Sequence, residues 1–214
     1  MNAKAAAEPF DDLRQQSHAD ALGVWVFLMT ELMFFGPLLF GYFYGRIEYG
    51  NGFSEASRHT DVILGTLNTA LLLTSSAAMA AAVAARARGA TRAARRLLLA
   101  TLLLGAAFLV VKCCEYASEW HEHLFPGAGF AFPGPHAAAV RYFYFLYFAL
   151  TAVHALHLIA GMAMVATFAI ALRRGAHAFA APRRVELAGL YWHFVDIVWI
   201  FLYPLLYLLG RSGG

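Results

Sequence analysis

The chain has 214 residues, of which 61% are hydrophobic and only 14% are charged. This composition excludes an ordinary soluble domain and a disordered chain, and it predicts a polytopic membrane protein. No basic tract is interleaved with aromatic residues, so nucleic acid is not expected as a partner. Cys113 and Cys114 are adjacent and belong to no zinc pattern, and they are expected to be buried thiols at a helix end.

Five long apolar segments follow a polar N-terminal segment over residues 1–20, which lacks the features of a signal peptide. Each apolar segment is long enough to cross a bilayer as a helix. The predicted spans are residues 22–44, 62–85, 97–114, 142–172 and 188–209. The sequence therefore predicts an all-α protein with one bundle of five transmembrane helices over residues 21–210 and a short tail over residues 211–214.

The first span carries one acidic residue, Glu31, roughly 14 Å from its start. Pro37 in the same span cannot donate a backbone hydrogen bond, so a kink is expected there. The residues from Gly50 to Gly52 suit a turn before the second span. That second span is rich in small and hydroxyl residues, which let membrane helices approach closely and hydrogen-bond to one another.

The cations are distributed unevenly between the two predicted sides of the membrane. Five spans place the termini on opposite sides, and the side of the N-terminus carries eleven Lys and Arg residues against five on the other. The run Arg86, Arg88, Arg92, Arg95 and Arg96 contributes most to this difference. Because cation-rich loops remain in the cytoplasm, the sequence predicts a cytoplasmic N-terminus and a periplasmic C-terminus.

The fourth span carries two histidines, His154 and His157, which share one helix face with Gly161. A metal or haem site would need further ligands, and the sequence supplies only His193 at a similar depth. The pair His121 and His123 lies in a loop that we expect to be solvated. No metal site and no cofactor bound by this chain are therefore predicted.

The last span contains both a histidine and an aspartate well inside its ends, His193 and Asp196. Three residues apart, they share one helix face, bordered by Trp192 and Trp199. Ionisable groups at this depth are costly unless they face protein and are paired, so another helix is expected to pack over this face.

Glu31, His157 and Asp196 fall at similar depths and predict a polar layer near the middle of the membrane. Two interpretations remain open. The layer handles protons, which is the usual meaning of an intramembrane carboxyl, or it is a hydrogen-bonded cluster that fixes the register of the helices.

Several motifs occur in the order found in subunit III of haem–copper respiratory oxidases. The segment 191–199, YWHFVDIVW, resembles that family's signature, and the segment 30–35, TELMFF, resembles the segment that bears its buried, reactive glutamate, here Glu31. Further matching positions are Asn68 in the second span, Glu115 and Tyr116 at the end of the third, His154 and His157 in the fourth, and Glu186 before the fifth. The resemblance covers roughly residues 20–210 and is closest to the short, five-helix bacterial form.

The resemblance implies an accessory subunit without a redox centre of its own, in the bacterial inner membrane. Its expected partners are the haem- and copper-bearing subunit I, subunit II and membrane phospholipids. The partner reduces oxygen to water and pumps protons, and the family resemblance implies that subunit III supports proton uptake, stability and lipid binding. Lys112 departs from the pattern, because many members have a neutral amide there.

Three alternatives remain at this stage. The same short form also occurs in quinol oxidases and in proteins associated with nitric oxide reductases. A stand-alone proton-coupled transporter would use Glu31 and the histidines directly. A cytochrome b-type electron carrier is disfavoured because the spans lack paired haem ligands.

Overall fold

A computed structural model describes residues 13–211, and within them every regular element is helical. The helices are α1 Leu13–Glu48, α2 Gly50–His59, α3 Val62–Ala87, α4 Thr91–His121, α5 Ala137–Arg173 and α6 Pro182–Tyr203, which continues into a π-helical turn, Pro204–Leu208. Most of the predicted N-terminal segment and of the predicted tail lies outside the described residues, and Leu13 already belongs to α1.

Five of these helices are long and apolar enough to cross a membrane, which confirms the predicted fold class. They are α1, α3, α4, α5 and α6 with its π turn, and each predicted span lies within one of them, except that the fifth extends one residue past the π turn. α1 continues as a helix through Pro37. The extra helix, α2, is short and polar and connects α1 to α3.

Four helices form a closed ring in which α3 contacts α4 and α6, and α5 also contacts α4 and α6. α1 packs outside this ring, against α5 and α6. In the most apolar stretch of α6, 56% of the residues are buried, whereas in the most apolar stretch of α1 only 11% of the residues are buried. α6 is therefore the central helix, and α1 is the helix with the largest uncovered face.

The buried residues of the ring helices recur every three and four positions. On α3 they are 65, 68, 72, 75, 79, 82, 85 and 86, on α4 they are 94, 98, 101, 105, 108, 112, 115 and 119, and on α6 they include 185, 188, 192, 195, 199 and 202. A repeat of 3.5 residues is the signature of left-handed, coiled-coil-like packing. Every residue in these stripes faces protein, whatever its polarity.

A seam of side-chain hydrogen bonds joins α3 to α6 and confirms that the hydroxyl residues of the second span hold neighbouring helices. The pairs are Thr66 with Tyr203, Thr69 with Trp199, Ser75 with Trp192, and Ser76 with His193, at 2.6–3.1 Å between donor and acceptor. The helices run antiparallel, since α3 residue numbers rise as those of α6 fall. The indole nitrogens of Trp192 and Trp199 and the ring nitrogen of His193 thereby gain a hydrogen-bond partner that lipid could not supply.

Replacing Ser75 with Ala is expected to lower the free energy of unfolding by about 0.6–1.7 kcal/mol, the range measured for hydrogen bonds between membrane helices. The Ser75 hydroxyl is the acceptor for the buried indole N–H of Trp192, at 3.1 Å. Thr74→Ala is the matched control, because the Thr74 hydroxyl bonds only to the Ala70 carbonyl of its own helix. Denaturant titration of the detergent-solubilised chain measures both, and equal losses would contradict the assignment.

The C-terminal segment is held by side chains from α1 and α2. Arg46 donates to the Leu209 carbonyl at 3.0 Å, and Arg58 donates to the Gly210 carbonyl at 2.9 Å. The Tyr42 and Ser57 hydroxyls donate to the carbonyls of Leu205 and Leu206. Carbonyls at the end of a helix have no partner within it, so these side chains satisfy them.

Two sequence expectations outside the site are wrong. The residues from Gly50 to Gly52 do not form a turn, because they open α2. A Cβ on Gly52 would lie 2.5 Å from the Cβ of Ala139, so this glycine permits close approach of α2 to α5. Cys113 and Cys114 are exposed rather than buried, because the inward stripe of α4 uses the flanking positions 112 and 115.

Candidate functional site

Glu31 and His157 form a contact between α1 and α5, with 2.6 Å between Oε2 of Glu31 and Nε2 of His157. Glu31 continues the inward stripe of α1 between the buried residues Leu28 and Phe35. The pair is only partly buried, with 16% of the Glu31 side chain and 13% of the His157 side chain exposed. Glu31 is therefore not a lone carboxyl.

The second ring nitrogen of His157 fixes the tautomer. Nδ1 lies 2.7 Å from the Val153 carbonyl oxygen, which can only accept, so Nδ1 carries a hydrogen. The contact to Glu31 then has two forms, a carboxylic acid donating to a neutral ring or an imidazolium donating to a carboxylate. Both forms have the same net charge. They differ only in whether the shared proton is bound to Oε2 of Glu31 or to Nε2 of His157.

The surroundings hold the ring of His157 in place and leave one side open. The ring of Phe35 lies 5.3 Å from the His157 ring, and the Tyr191 hydroxyl donates to the His157 carbonyl at 3.1 Å. An open cavity of about 270 Å³ adjoins the pair, and its remaining lining residues are Phe27, Leu156 and Ala160. The site can thus hold a proton within the membrane and exchange it through this opening.

His154 lies one turn away from His157 but does not join the pair. It is fully buried, with ring centroids of Phe108 and Trp199 at 5.5 and 5.1 Å. Neither of its ring nitrogens has a hydrogen-bond partner within residues 13–211. Nowhere in that part of the chain do three His, Cys, Asp or Glu side chains come together as a metal site would need.

His193 and Asp196 share the face predicted for them, and α3 packs over it, but they do not pair with each other. Nδ1 of His193 bonds to the Ser76 hydroxyl at 2.7 Å. Asp196 is buried, and its carboxylate oxygens have no hydrogen-bond partner among the described residues. The same is true of the Asn68 amide on α3. Of the three residues of the predicted polar layer, Glu31 and His157 contact each other, whereas Asp196 bonds to neither of them.

A second buried polar cluster lies where α4, α5 and the π turn meet. Lys112 donates to Oε2 of Glu115 at 3.0 Å and to the hydroxyls of Tyr147 and Tyr207, each at 2.7 Å. Both tyrosines donate in turn to Oε1 of Glu115, at 2.8 and 2.7 Å. The ammonium also lies 4.4 Å from the centre of the Tyr147 ring, within cation–π range. The sequence pattern indicates Glu115 as a motif position and Lys112 as a departure from the family, but it does not indicate either tyrosine.

The signal for this cluster is present in the sequence as a stripe. The 3.5-residue repeat of α4 continues through Lys112, Glu115 and Glu119. These residues therefore face the interior of the four-helix ring, although the sequence around them is less hydrophobic than the rest of the helix. The predicted span ends at residue 114, although the inward stripe continues to Glu119. The two tyrosines gave no such signal, because tyrosines are common at membrane interfaces.

The remaining family-motif positions have other places in the fold. The Tyr116 hydroxyl lies 2.6 Å from the Thr151 hydroxyl and joins α4 to α5. Glu186 lies at the start of α6, pairs with Arg183 at 3.1 Å and is half exposed. Trp192 and Trp199 are the largest fully buried side chains of α6.

Comparison with known proteins identifies the family. The family model for cytochrome c oxidase subunit III matches residues 16–211. Cytochrome c oxidase subunit 3 of Bacillus subtilis is 32% identical over 90% of this chain and 87% of its own length. The corresponding protein of Bacillus sp. PS3 is 30% identical over 90% and 86%. Quinol oxidase subunit 3 of Bacillus subtilis is 28% identical over 96% and 94%.

Proposed function

We propose that the chain, which belongs to the cytochrome c oxidase subunit III family and is thus an accessory subunit of a haem–copper oxidase, holds an exchangeable proton at Glu31 and His157. The observation that carries this proposal is the 2.6 Å contact between the carboxyl and the ring nitrogen. With Nδ1 committed to the Val153 carbonyl, only the proton in that contact can move. Intramembrane carboxyl–histidine contacts are typical of proton relays.

The proton site would serve chemistry in another polypeptide. We propose that subunit I, which carries haem and copper in this family, and subunit II pack against this chain in the inner membrane. Among residues 13–211 no three possible ligands gather as a metal site would need, and Glu31 and His157 line an open cavity beside α1 and α5. The proposed role is to store a proton near the partner and release it during turnover.

Phospholipid is the second proposed ligand. A cleft of about 520 Å³ lies between α1 and α6 and is lined by apolar side chains and His193, including Trp25, Leu28, Phe194 and Phe201. Acyl chains fit such a lining because it offers no competing polar group except one ring that already bonds to Ser76. Lipid here would cover much of the exposed face of α1.

Replacing Glu31 with Gln is expected to leave assembly intact and to accelerate the loss of activity of the complex during turnover. The amide can still donate to Nε2 of His157, so stability should change by less than about 1 kcal/mol. It cannot give up a proton, so proton supply should fall. The measurement is oxygen consumption by the purified complex followed over many turnovers, together with proton uptake.

Glu48→Gln is the matched control, because Glu48 is an exposed carboxyl at the far end of the same helix. Its complex should keep the turnover and lifetime of the unmodified one. If the Glu31 variant does so as well, while it remains assembled, Glu31 only packs helices and the proposal is wrong.

A further inference from the structure

The Lys112 cluster leaves one buried carboxyl without a donor. An ammonium group has three hydrogens, and those of Lys112 go to Glu115, Tyr147 and Tyr207. The hydroxyl hydrogens of the two tyrosines go to Glu115. Lys112 and Glu115 therefore form a neutral unit in which every available hydrogen is used.

Glu119 lies one turn beyond Glu115 on the same inward stripe of α4, only 6% exposed. Both of its carboxyl oxygens are buried without a hydrogen bond of good geometry within residues 13–211, and the Tyr147 hydroxyl, the donor that acts on them, already has its hydrogen in the bond to Glu115. The Tyr144 hydroxyl, also buried, is unpartnered in the same part of the chain. An ionised carboxylate in such a place would be a charge without a counter-ion and without a donor, which is strongly unfavourable.

We propose that Glu119 is a second proton-binding site of this chain, occupied by a proton in the resting protein. With that proton the cluster has no net charge, since Lys112 balances Glu115. Loss of the proton leaves one uncompensated negative charge on the cluster. This inference does not depend on the role proposed for Glu31, because it rests on different helices and contacts.

The groups that act on Glu119 come from three elements. Lys112, Glu115 and Glu122 lie on or directly after its own helix, and the first attracts a carboxylate whereas the other two repel it. Tyr144 and Tyr147 face it from α5, and Tyr207 faces it from the π turn. The ammonium of Lys112 is already paired with Glu115, so the surroundings of Glu119 favour its neutral, protonated form.

The position of Glu119 connects this site to water at one end of the bundle. α4 ends two residues later, at His121, and the backbone N–H of Leu124 folds back to the Glu119 carbonyl at 2.9 Å. The α4–α5 loop therefore begins within one turn of Glu119. The proton of Glu119 would exchange through this loop, whereas that of Glu31 would exchange through the cavity beside α1 and α5.

Infrared difference spectroscopy of the full chain in lipid bilayers tests this proposal. A protonated buried carboxyl gives a C=O band distinct from carboxylate bands. Glu119→Gln is expected to lose one such band, which glutamate-specific ¹³C labelling separates from any band of Asp196. Glu122→Gln is the matched control, because Glu122 is an exposed carboxyl just after the same helix, and it should lose none.

Two further variants keep Glu119 in place. Tyr144→Phe removes the nearby unpartnered hydroxyl and should shift the same band, and Lys112→Gln should add a second band because Glu115 loses its cation. The proposal is overturned if Glu119→Gln removes carboxylate intensity and leaves the protonated region unchanged. If that variant does not fold, an unshifted band in Tyr144→Phe together with no added band in Lys112→Gln overturns it.

Discussion

Replacing Lys112 with Met is expected to lower the free energy of unfolding by about 3–5 kcal/mol, the cost of removing one partner from a buried ion pair. The Lys112 and Glu115 side chains are only 3% and 2% exposed, so water cannot replace the lost ammonium. The hydroxyls of Tyr147 and Tyr207 would still donate to Glu115, but its carboxyl would have to be buried either without a counter-ion or with a newly bound proton, and both are costly. Denaturant titration of the detergent-solubilised chain measures the loss.

The double variant Lys112→Met with Glu115→Gln is the control for this prediction. Removing both charges leaves no uncompensated ion, so the double variant is expected to be more stable than Lys112→Met alone. Tyr147 and Tyr207 can still donate to the amide oxygen of the new Gln side chain. If the losses of the two single variants simply add, the two residues act independently and the ion pair contributes nothing.

The fold class could be predicted from hydropathy and length, because a bilayer requires long apolar helices. The path of the chain between spans was harder to predict. Residues 50–59 are polar and glycine-rich, which suggests a turn, yet they form α2 because close approach to α5 and the C-terminal segment stabilises them. Such a helix is determined by tertiary contacts that no local pattern in this segment shows.

The candidate site was also only partly predictable from the sequence, because some of its contacts depend on how the helices pack. Glu31 and His157 were predicted at similar depths, and the structure brings them together. His193 and Asp196 were expected to share a face covered by another helix, and α3 covers it, with Ser76 bonding to His193. Spacing along one helix shows which residues share a face. It does not show what a second helix places opposite that face.

Lys112 and Glu119 illustrate what periodicity adds to hydropathy. The predicted span includes Lys112 only near its end and excludes Glu119, whereas the 3.5-residue repeat of α4 continues through both residues into the core. The repeat is visible in the sequence, but a hydropathy average over many residues does not show it. For polytopic proteins of this kind, a charged residue on a continuous inward stripe is better treated as buried in protein until its partners are known.

Replacing Gly210 with Ala is expected to lower the free energy of unfolding by about 3 kcal/mol, the upper part of the usual range for overpacking. A Cβ at this position would lie 2.5 Å from the backbone oxygen of Ser54 and 2.7 Å from the Cβ of Ser57. Neither atom belongs to the end of a flexible side chain, so the C-terminal segment must move away from α2. That movement would break the bond from Arg58 to the Gly210 carbonyl.

The displacement should also reach the Lys112 cluster, because the same segment carries Tyr207, whose hydroxyl bonds to both Lys112 and Glu115. Hydrogen exchange of the backbone amides at 205–211 should therefore accelerate together with the loss of stability. Gly23→Ala is the matched control, because no atom lies within 4 Å of a Cβ there, and an alanine inside α1 should slightly stabilise the helix. Unchanged exchange in the Gly210 variant would show that the C-terminal segment tolerates the extra methyl group, and that its contact with α2 does not position Tyr207.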